Sequence, residues 1–272
     1  MVPSLAKQSF DSDGFYLWKN FIPTKRAQDL RNIVLDMASF EQEAGDSYFY
    51  PFDAERLTQR VWNLTNKSSQ FRAILEIDEL NDFMNYVFYR KTHHQLFHLS
   101  SFQANILYPG AKQQKLHIDT PFPEPLPPWP AKANSIWLLD DFTEINGATE
   151  LVKGSHKYSD KPNSVDDPRI ILSRATGPKG SVLFTHGNLW HRAGANNSAE
   201  PRVAILCSFA ASYMKEIASE EDQSLIIDTE IKNQASERLK AILGIGHGLK
   251  DGAFVIHGKE SNASDFGDNS SS

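Results

Sequence analysis

The sequence has almost no cysteine, and this scarcity excludes two kinds of stabilising or functional site. Cys207 is the only cysteine among the 272 residues, so neither a disulfide within the chain nor a zinc cluster of several thiolates is possible. Long apolar runs are also missing, because no stretch approaches the roughly 18 residues that a membrane-spanning helix needs. No block of Lys and Arg stands out, and the formal net charge is −6. We therefore expect no nucleic-acid partner and no membrane partner.

The composition is that of a folded protein with a sizeable core. Apolar residues make up 40% of the chain and charged residues 23%, which excludes wholesale disorder. The first ten residues lack the charged start and apolar run of a secretory signal. We therefore expect a cytoplasmic protein. The length fits one large domain or two small ones.

The hydrophobic pattern changes along the chain. Residues 22–95 carry apolar side chains at helical spacing, as in Leu30, Val34 and Met37. Residues 96–212 contain short apolar runs separated by Gly, Pro and Asn, which predicts an antiparallel sandwich or barrel. A helical extension is predicted over residues 213–250 and a disordered tail over 261–272. The proline-rich residues 121–130 must form a loop, either a rigid connection or a lid.

Three residues form a candidate metal site. His117 and Asp119 are two positions apart, so on an extended strand both side chains point to the same face. This pair alone is weak evidence, since a surface His beside a surface Asp gives the same pattern. His191 follows a predicted tight turn and supplies a third ligand. Two imidazoles and one carboxylate are the facial set of non-haem Fe(II) oxygenases.

Arg202 is a candidate anion-binding residue. It begins a predicted strand, and Ala204 and Leu206 share its face while Cys207 lies on the other. A buried arginine needs an anion, and its planar guanidinium suits a carboxylate held by two hydrogen bonds. The alternative is an arginine in water at the end of a strand.

These motifs occur together in an order that resembles one known family. The segments are NILYPG at 105–110, QKLHID at 114–119, LDDFTEINGAT at 139–149, GSH at 154–156 and WHRAG at 190–194, followed by Arg202. The set resembles the phytanoyl-CoA dioxygenase-like family of Fe(II)/2-oxoglutarate-dependent oxygenases. The resemblance covers the chain from about Gly14 to Gly244. It implies a mainly β fold with flanking α-helices and a jelly-roll core, the cupin-like double-stranded β-helix, in one oxygenase domain over residues 1–260.

The resemblance also implies a function. His117, Asp119 and His191 would be the catalytic iron ligands, and Arg202 would hold the distal carboxylate of 2-oxoglutarate. The cofactors would be Fe(II), the cosubstrate 2-oxoglutarate and O2. The implied reaction hydroxylates a small molecule, or otherwise oxidises it at an unactivated C–H bond, with decarboxylation of 2-oxoglutarate to succinate and CO2. Because Asp119 is present, halogenation is disfavoured.

Three further residues are expected around the cosubstrate by the same resemblance. Thr149 would contribute a hydroxyl, and Asn105 and Trp137 would line the cavity. Where some relatives have a serine that contacts the cosubstrate, this chain has Ala193.

Several alternatives stay open at this point. The chain could be a non-catalytic jelly-roll binding or sensor protein, or a cupin-like metal enzyme that uses no 2-oxo acid. Desaturation, ring closure or epimerisation could replace hydroxylation, because all begin with the same hydrogen abstraction. Lys112 and Lys115, expected near the cavity mouth, would suit an anionic substrate. The sequence does not indicate an oligomeric state.

Overall fold

The computed structural model describes residues 1–51, 53–88, 97–214, 226–245, 248–250, 253–256 and 259–261. Within this part of the chain the helices are α1 (Ser4–Asp13), α2 (Thr24–Ala44), α3 (Leu64–Lys67), α4 (Ser69–Leu75), α5 (Asp78–Phe88), α6 (Thr229–Gln234) and α7 (Glu237–Ile242). The strands up to residue 138 are β1 (Phe15–Trp18), β2 (Tyr48–Phe49), β3 (Thr58–Val61), β4 (Phe97–Leu107) and β5 (Lys132–Leu138). The later strands are β6 (Thr149–Val152), β7 (Leu172–Arg174), β8 (Val182–His186), β9 (His191–Ala193), β10 (Arg202–Ala211), β11 (Gly248–Lys250), β12 (Ala253–Ile256) and β13 (Lys259–Ser261).

Two antiparallel sheets carry the architecture. The large sheet has seven described strands in the order β1-β8-β5-β10-β4-β3-β2, and the small sheet has three in the order β7-β6-β9. Strands β11, β12 and β13 form a separate antiparallel sheet. The non-sequential neighbours arise because the chain crosses between the two sheets, as in a jelly roll.

Strand β10 shows how the sequence produces a sheet that is covered on both faces. Val203, Ile205 and Cys207 belong to the larger buried cluster, which includes the apolar residues of the helices. The alternate positions Ala204 and Leu206 pack in a second cluster, which includes residues of both sheets. Successive side chains of a strand point to opposite faces, so one strand supplies both cores.

The helices cover the outer face of the large sheet. Helix α2 begins after Pro23, whose ring fixes a φ of −56° at the residue that precedes the helix. The helix buries Ala27, Leu30 and Val34 at helical spacing. It ends at Gly45, which adopts a left-handed conformation with φ of 80° and closes the last turn. An ion pair between Arg31 Nε and Asp140 Oδ1, 2.7 Å long, ties α2 to the sheet region.

The predicted fold class is confirmed, whereas the regional boundaries need correction. Residues 22–95 are not purely helical, because β2 and β3 lie within them and extend the large sheet. The predicted helical extension over 213–250 contains α6 and α7 but also β11. The predicted disordered tail lies outside the described residues, apart from Ser261 at the end of β13. None of the described helices is both long and apolar enough to cross a membrane.

Hydrogen bonds hold the proline-rich loop, residues 121–130, to other segments of the chain. Leu126 is buried and its backbone N–H donates to the carbonyl of Ser159 over 2.7 Å. The side-chain amide of Asn188 donates to the carbonyl of Pro127 over 2.9 Å. These bonds join the loop to two other segments, which favours the rigid connection over a freely moving lid.

Candidate metal centre

The structure brings the three predicted ligands together. One donor atom from each of His117, Asp119 and His191 lies within 4.8 Å of the other two. Nε2 of His191 is 3.3 Å from Asp119 Oδ2, and Nε2 of His117 is 3.9 Å from Asp119 Oδ1. Two nitrogens and one carboxylate oxygen at such distances can bind one ion on a single face, and no other group of this kind occurs among the described residues.

Backbone hydrogen bonds hold the ligands at these positions. His117 and His191 form an antiparallel bridge in which each N–H donates to the carbonyl of the other over 3.0 Å. The N–H of Asp119 donates to the carbonyl of Gly187 over 2.9 Å. The segment with the His-x-Asp pair is therefore paired to the turn and strand that carry the third ligand.

Further hydrogen bonds orient the ligand side chains. Nδ1 of His117 lies 2.8 Å from the carbonyl of Lys115, and Nδ1 of His191 lies 2.9 Å from the carbonyl of Leu189. A carbonyl only accepts, so both rings carry the proton on Nδ1 and present the lone pair of Nε2. The side-chain amide of Asn134 donates to Asp119 Oδ2 over 2.7 Å.

The electrostatics suit a cation. Burial lowers the pKa of His117 below its usual value, and the nearby His191 lowers it further. Burial opposes ionisation of Asp119, but His191 and His117 outweigh it and hold the pKa of that carboxyl below its usual range. A neutral imidazole and an ionised carboxylate are the forms that bind a metal ion.

The three candidate ligands line a cavity of about 210 Å³, and other residues from both sheets line it as well. Arg202 lies there and is only 3% exposed. Its Nε and Nη2 have no hydrogen-bond partner among the described residues, and its guanidinium sits 4.4 Å from the centroid of Phe142. Burial lowers the pKa of Arg202 to about 10, against the opposing effect of Asp140. A buried cation with unmet donors is a site for an anion.

Two of the three other predicted cavity residues line the cavity, and the third does not. Thr149 and Asn105 are buried and line the cavity, and Asn105 Oδ1 has no hydrogen-bond partner among the described residues. Trp137 does not line it, so that expectation is corrected. It faces the helices, where its ring meets Phe21 edge-on at 5.3 Å and its indole N–H donates to Ser135. The alternation within β5 explains this, because Asn134 and Ile136 occupy the cavity face.

Arg60, Gln114 and Lys132 are among the cavity residues that the sequence analysis does not predict. Gln114 begins the QKLHID motif, and its position three residues before His117 is a usable signal. Arg60 lies on a strand within the region whose hydrophobic pattern predicts helices. Conversely, Lys112 is exposed and pairs with Glu55 over 2.7 Å, outside the cavity lining.

Comparison with known proteins agrees with this geometry. The sequence model of the family described as "Phytanoyl-CoA dioxygenase (PhyH)" matches residues 10–204. "Dioxygenase af480" of Aspergillus fumigatus is 30% identical over 151 residues, which cover 55% of this chain but only 48% of that protein. "Dioxygenase FUM3" of Gibberella moniliformis is 27% identical over 87% of this chain and 80% of its own length. "Iron/alpha-ketoglutarate-dependent dioxygenase okaE" of Penicillium ochrochloron is 28% identical over 75% of this chain and 70% of its own length.

A solved structure has the same fold. The crystal structure of the epimerase SnoN with Fe3+, alpha ketoglutarate and nogalamycin RO superposes with a TM-score of 0.60 at 18% identity, covering 76% of this chain and 82% of that one. The family match extends over most of the chain and includes His117, Asp119 and His191, the three candidate metal ligands. This chain belongs to the phytanoyl-CoA dioxygenase family.

Proposed function

We propose that this protein is an Fe(II)/2-oxoglutarate-dependent dioxygenase that oxidises a C–H bond of a small molecule and converts 2-oxoglutarate to succinate and CO2. One observation carries the proposal: the donor atoms of His117, Asp119 and His191 converge within 4.8 Å in the cavity that also holds the buried Arg202. Relatives that bear the name dioxygenase, one of them with iron and alpha-ketoglutarate in its name, support the same chemistry.

The donor set fits iron. It contains imidazole nitrogens and a carboxylate but no thiolate, and it leaves one side of the ion open for further ligands. When bound, ferrous iron with 2-oxoglutarate supplies the activation of O2 and the oxidation of the substrate. The protein contributes the ligands, the position of the cosubstrate and a cavity lined by both sheets.

Arg202 is the proposed anchor of the cosubstrate. Its unmet donors match the two oxygens of a carboxylate, and its burial strengthens that pairing because water competes poorly there. Thr149 also lines the cavity, and on the small sheet it pairs with Ala193. The Ala193 N–H donates to Gln114 Oε1 over 3.0 Å, so Gln114 lies next to this pair.

Arg60 is a second cation in the cavity lining, where its Nη1 donates to Gln103 Oε1 over 2.9 Å. It pairs with Asn105 across the large sheet, and Asn105 in turn pairs with Ala204, two residues after Arg202. A cupin-like enzyme that uses no 2-oxo acid would have no use for the buried Arg202 with its unmet donors, so this residue favours the dioxygenase.

The experiment is an anaerobic titration. Folded protein loaded with Fe(II) should develop a weak visible absorption band when 2-oxoglutarate is added. Asp119→Ala should abolish iron binding and the band, whereas the exposed Asp166→Ala should change neither. Absence of the band in folded, iron-loaded protein would contradict the assignment. Succinate formation under O2 then separates an enzyme from a non-catalytic sensor.

Three expectations remain part of this proposal. They are a single oxygenase domain over residues 1–260, a cytoplasmic location, and a small-molecule substrate without a nucleic-acid or membrane partner. The charge of −6 and the absence of a basic block support the last of these.

A further inference from the structure

Three neutral polar side chains form a row across the cavity face of the large sheet. Asn134 on β5 pairs with Ser208 on β10, which in turn pairs with Ser101 on β4. All three line the cavity, and neighbouring strands lie about 4.8 Å apart, so the row is about 10 Å long. Ser208 follows Arg202 by six residues on β10, which at about 3.3 Å per residue places them roughly 20 Å apart. The row is therefore at the other end of the cavity from the proposed cosubstrate anchor.

Asn134 is the best-defined member of this row, because both hydrogens of its amide are already used. Nδ2 donates to Oδ2 of Asp119 over 2.7 Å and to Oγ1 of Thr185 over 3.2 Å. The ionised carboxylate of Asp119 only accepts hydrogen bonds, so the amide can take no other orientation. Its oxygen, Oδ1, has no hydrogen-bond partner among the described residues. A fixed acceptor therefore lies beside a candidate metal ligand, on a residue that lines the cavity.

The two serines extend this row with groups that can both donate and accept hydrogen bonds. Ser101 is buried and Ser208 is partly buried, and neither hydroxyl has a partner within the part of the chain that the structure describes. Buried polar groups cost free energy until a ligand or water meets their hydrogen bonds. A ligand that matches the row must offer a donor to Asn134. A hydroxyl or an amide does so, whereas an ionised carboxylate brings only acceptors.

The neighbouring row, on the side towards Arg202, contains two apolar side chains. Leu206 pairs with Ile136 on β5 and with Gln103 on β4. Leu206 and Ile136 line the cavity and pack in the second buried cluster. Burial against such side chains favours an apolar group on the ligand. The cavity thus places an apolar wall next to the neutral polar row.

We propose that the row of Asn134, Ser208 and Ser101 selects a neutral substrate that donates a hydrogen bond, an alcohol or an amide attached to an apolar body. This inference rests on the proposed function, because it names the substrate class of the same site. The donor binds Oδ1 of Asn134 and so holds the neighbouring C–H bonds of the substrate next to the metal ligands. Lys112 and Lys115, which would suit an anionic substrate, do not line the cavity.

The test compares probes of matched shape that differ in a single donor. N-methylbenzamide has an N–H where methyl benzoate has an ester oxygen, and cyclohexanol has a hydroxyl where fluorocyclohexane has fluorine. The first pair tests an amide and the second a hydroxyl. Each probe is titrated anaerobically into protein loaded with Fe(II) and 2-oxoglutarate, and its dissociation constant is read from the relaxation of the probe's NMR signals by the paramagnetic iron.

A neutral hydrogen bond predicts that the donor of at least one pair binds about threefold to tenfold more tightly than its partner. Benzoate is the anionic probe, and it is included because Lys132 also lines the cavity. Benzoate should bind more weakly than the preferred donor, because it cannot donate to Oδ1 of Asn134.

Variants connect the donor preference to the row. Asn134→Leu, measured at saturating Fe(II), should abolish the preference, and Ser208→Ala should reduce it. Ser208→Ala keeps the test decisive if Asn134→Leu binds no iron. Ser164→Ala removes an exposed hydroxyl outside the cavity and should bind every probe as the native protein does.

The outcomes separate this inference from the proposed function. Equal binding within both pairs, tighter binding of benzoate than of either donor, failure of every probe to bind, or a donor preference that survives undiminished in Ser208→Ala would overturn the inference. A large loss of 2-oxoglutarate affinity in Ser208→Ala would also overturn it, by assigning the row to the cosubstrate. Failure of the native, iron-loaded protein to bind 2-oxoglutarate would instead overturn the proposed function.

Discussion

Replacing Arg202 by methionine should make the cosubstrate-free protein more stable and at the same time insensitive to 2-oxoglutarate. Arg202 is 3% exposed, and burial lowers its pKa to about 10. At about 1.36 kcal/mol per pKa unit, holding the charge in this place costs about 3 kcal/mol. Methionine has a similar length and no charge, so Arg202→Met should raise the free energy of unfolding by up to about 3 kcal/mol.

The same substitution removes the proposed anchor for the cosubstrate. A ligand present at about 100 times its dissociation constant stabilises the native state by about 2.7 kcal/mol. The native protein should show this gain when 2-oxoglutarate is added, and Arg202→Met should show almost none at the same concentration. The assay is urea unfolding of Fe(II)-loaded protein under nitrogen, followed by tryptophan fluorescence, with and without 2-oxoglutarate.

A second arginine provides the control. Arg72 donates from Nη1 to the carbonyl of Thr65 over 2.7 Å and does not line the cavity. Arg72→Met should therefore destabilise the protein by about 1 kcal/mol and leave the response to 2-oxoglutarate intact. If Arg202→Met were strongly destabilised without cosubstrate, the guanidinium would have partners in the free protein and the reasoning would be wrong. An undiminished response to 2-oxoglutarate would refute the anchor role.

Three other predictions concern Asn134, Gly147 and His186. Asn134→Leu removes the amide that donates to Asp119 Oδ2, and it should weaken iron binding by about tenfold to hundredfold in a metal titration; unchanged affinity would exclude a positioning role. Gly147 has a φ of 86°, and a Cβ there would lie 2.8 Å from the Gly194 carbonyl oxygen, so Gly147→Ala should lower the free energy of unfolding in urea by about 2 kcal/mol or more. Gly45→Ala is the control, because its φ is also positive but its Cβ meets no atom within 4 Å; it should lose less stability than Gly147→Ala. Burial and the nearby His156 lower the pKa of His186 to about 3, so the unfolded chain binds more protons below pH 6.5. Stability should fall by about 3 kcal/mol from this group between pH 7 and pH 4, and His186→Gln should lose less than the native protein over that range.

The metal site could be predicted because its signal is local and periodic. The His-x-Asp spacing places both side chains on one face, and the turn before His191 suggests a returning strand. The alternation in β10 likewise indicates that Arg202 faces the cavity and Cys207 the helices, as observed. Such patterns are short, and long-range packing does not override them.

Residues that reach the cavity through long-range pairing were harder to predict. Arg60 lies on the short strand β3, whose place beside β4 depends on a register between segments more than forty residues apart. Ser100 lines the cavity because of a bulge, which has no distinct sequence signature here. The resemblance implies a cavity role for Trp137, but the alternation of β5 directs this side chain into the core on the opposite face of the sheet.

The reciprocal main-chain pairing of His117 and His191 has a consequence for how the protein acquires iron. Since these two residues are already neighbours in the folded chain, the site is formed before the metal binds. Little of the free energy of metal binding is then spent on pairing the strands. Chelation should therefore strip the metal without unfolding the jelly roll, and reloading should be reversible. When ferrous iron is scarce, the protein would remain as folded, inactive apo-protein and would regain activity once the metal is supplied again.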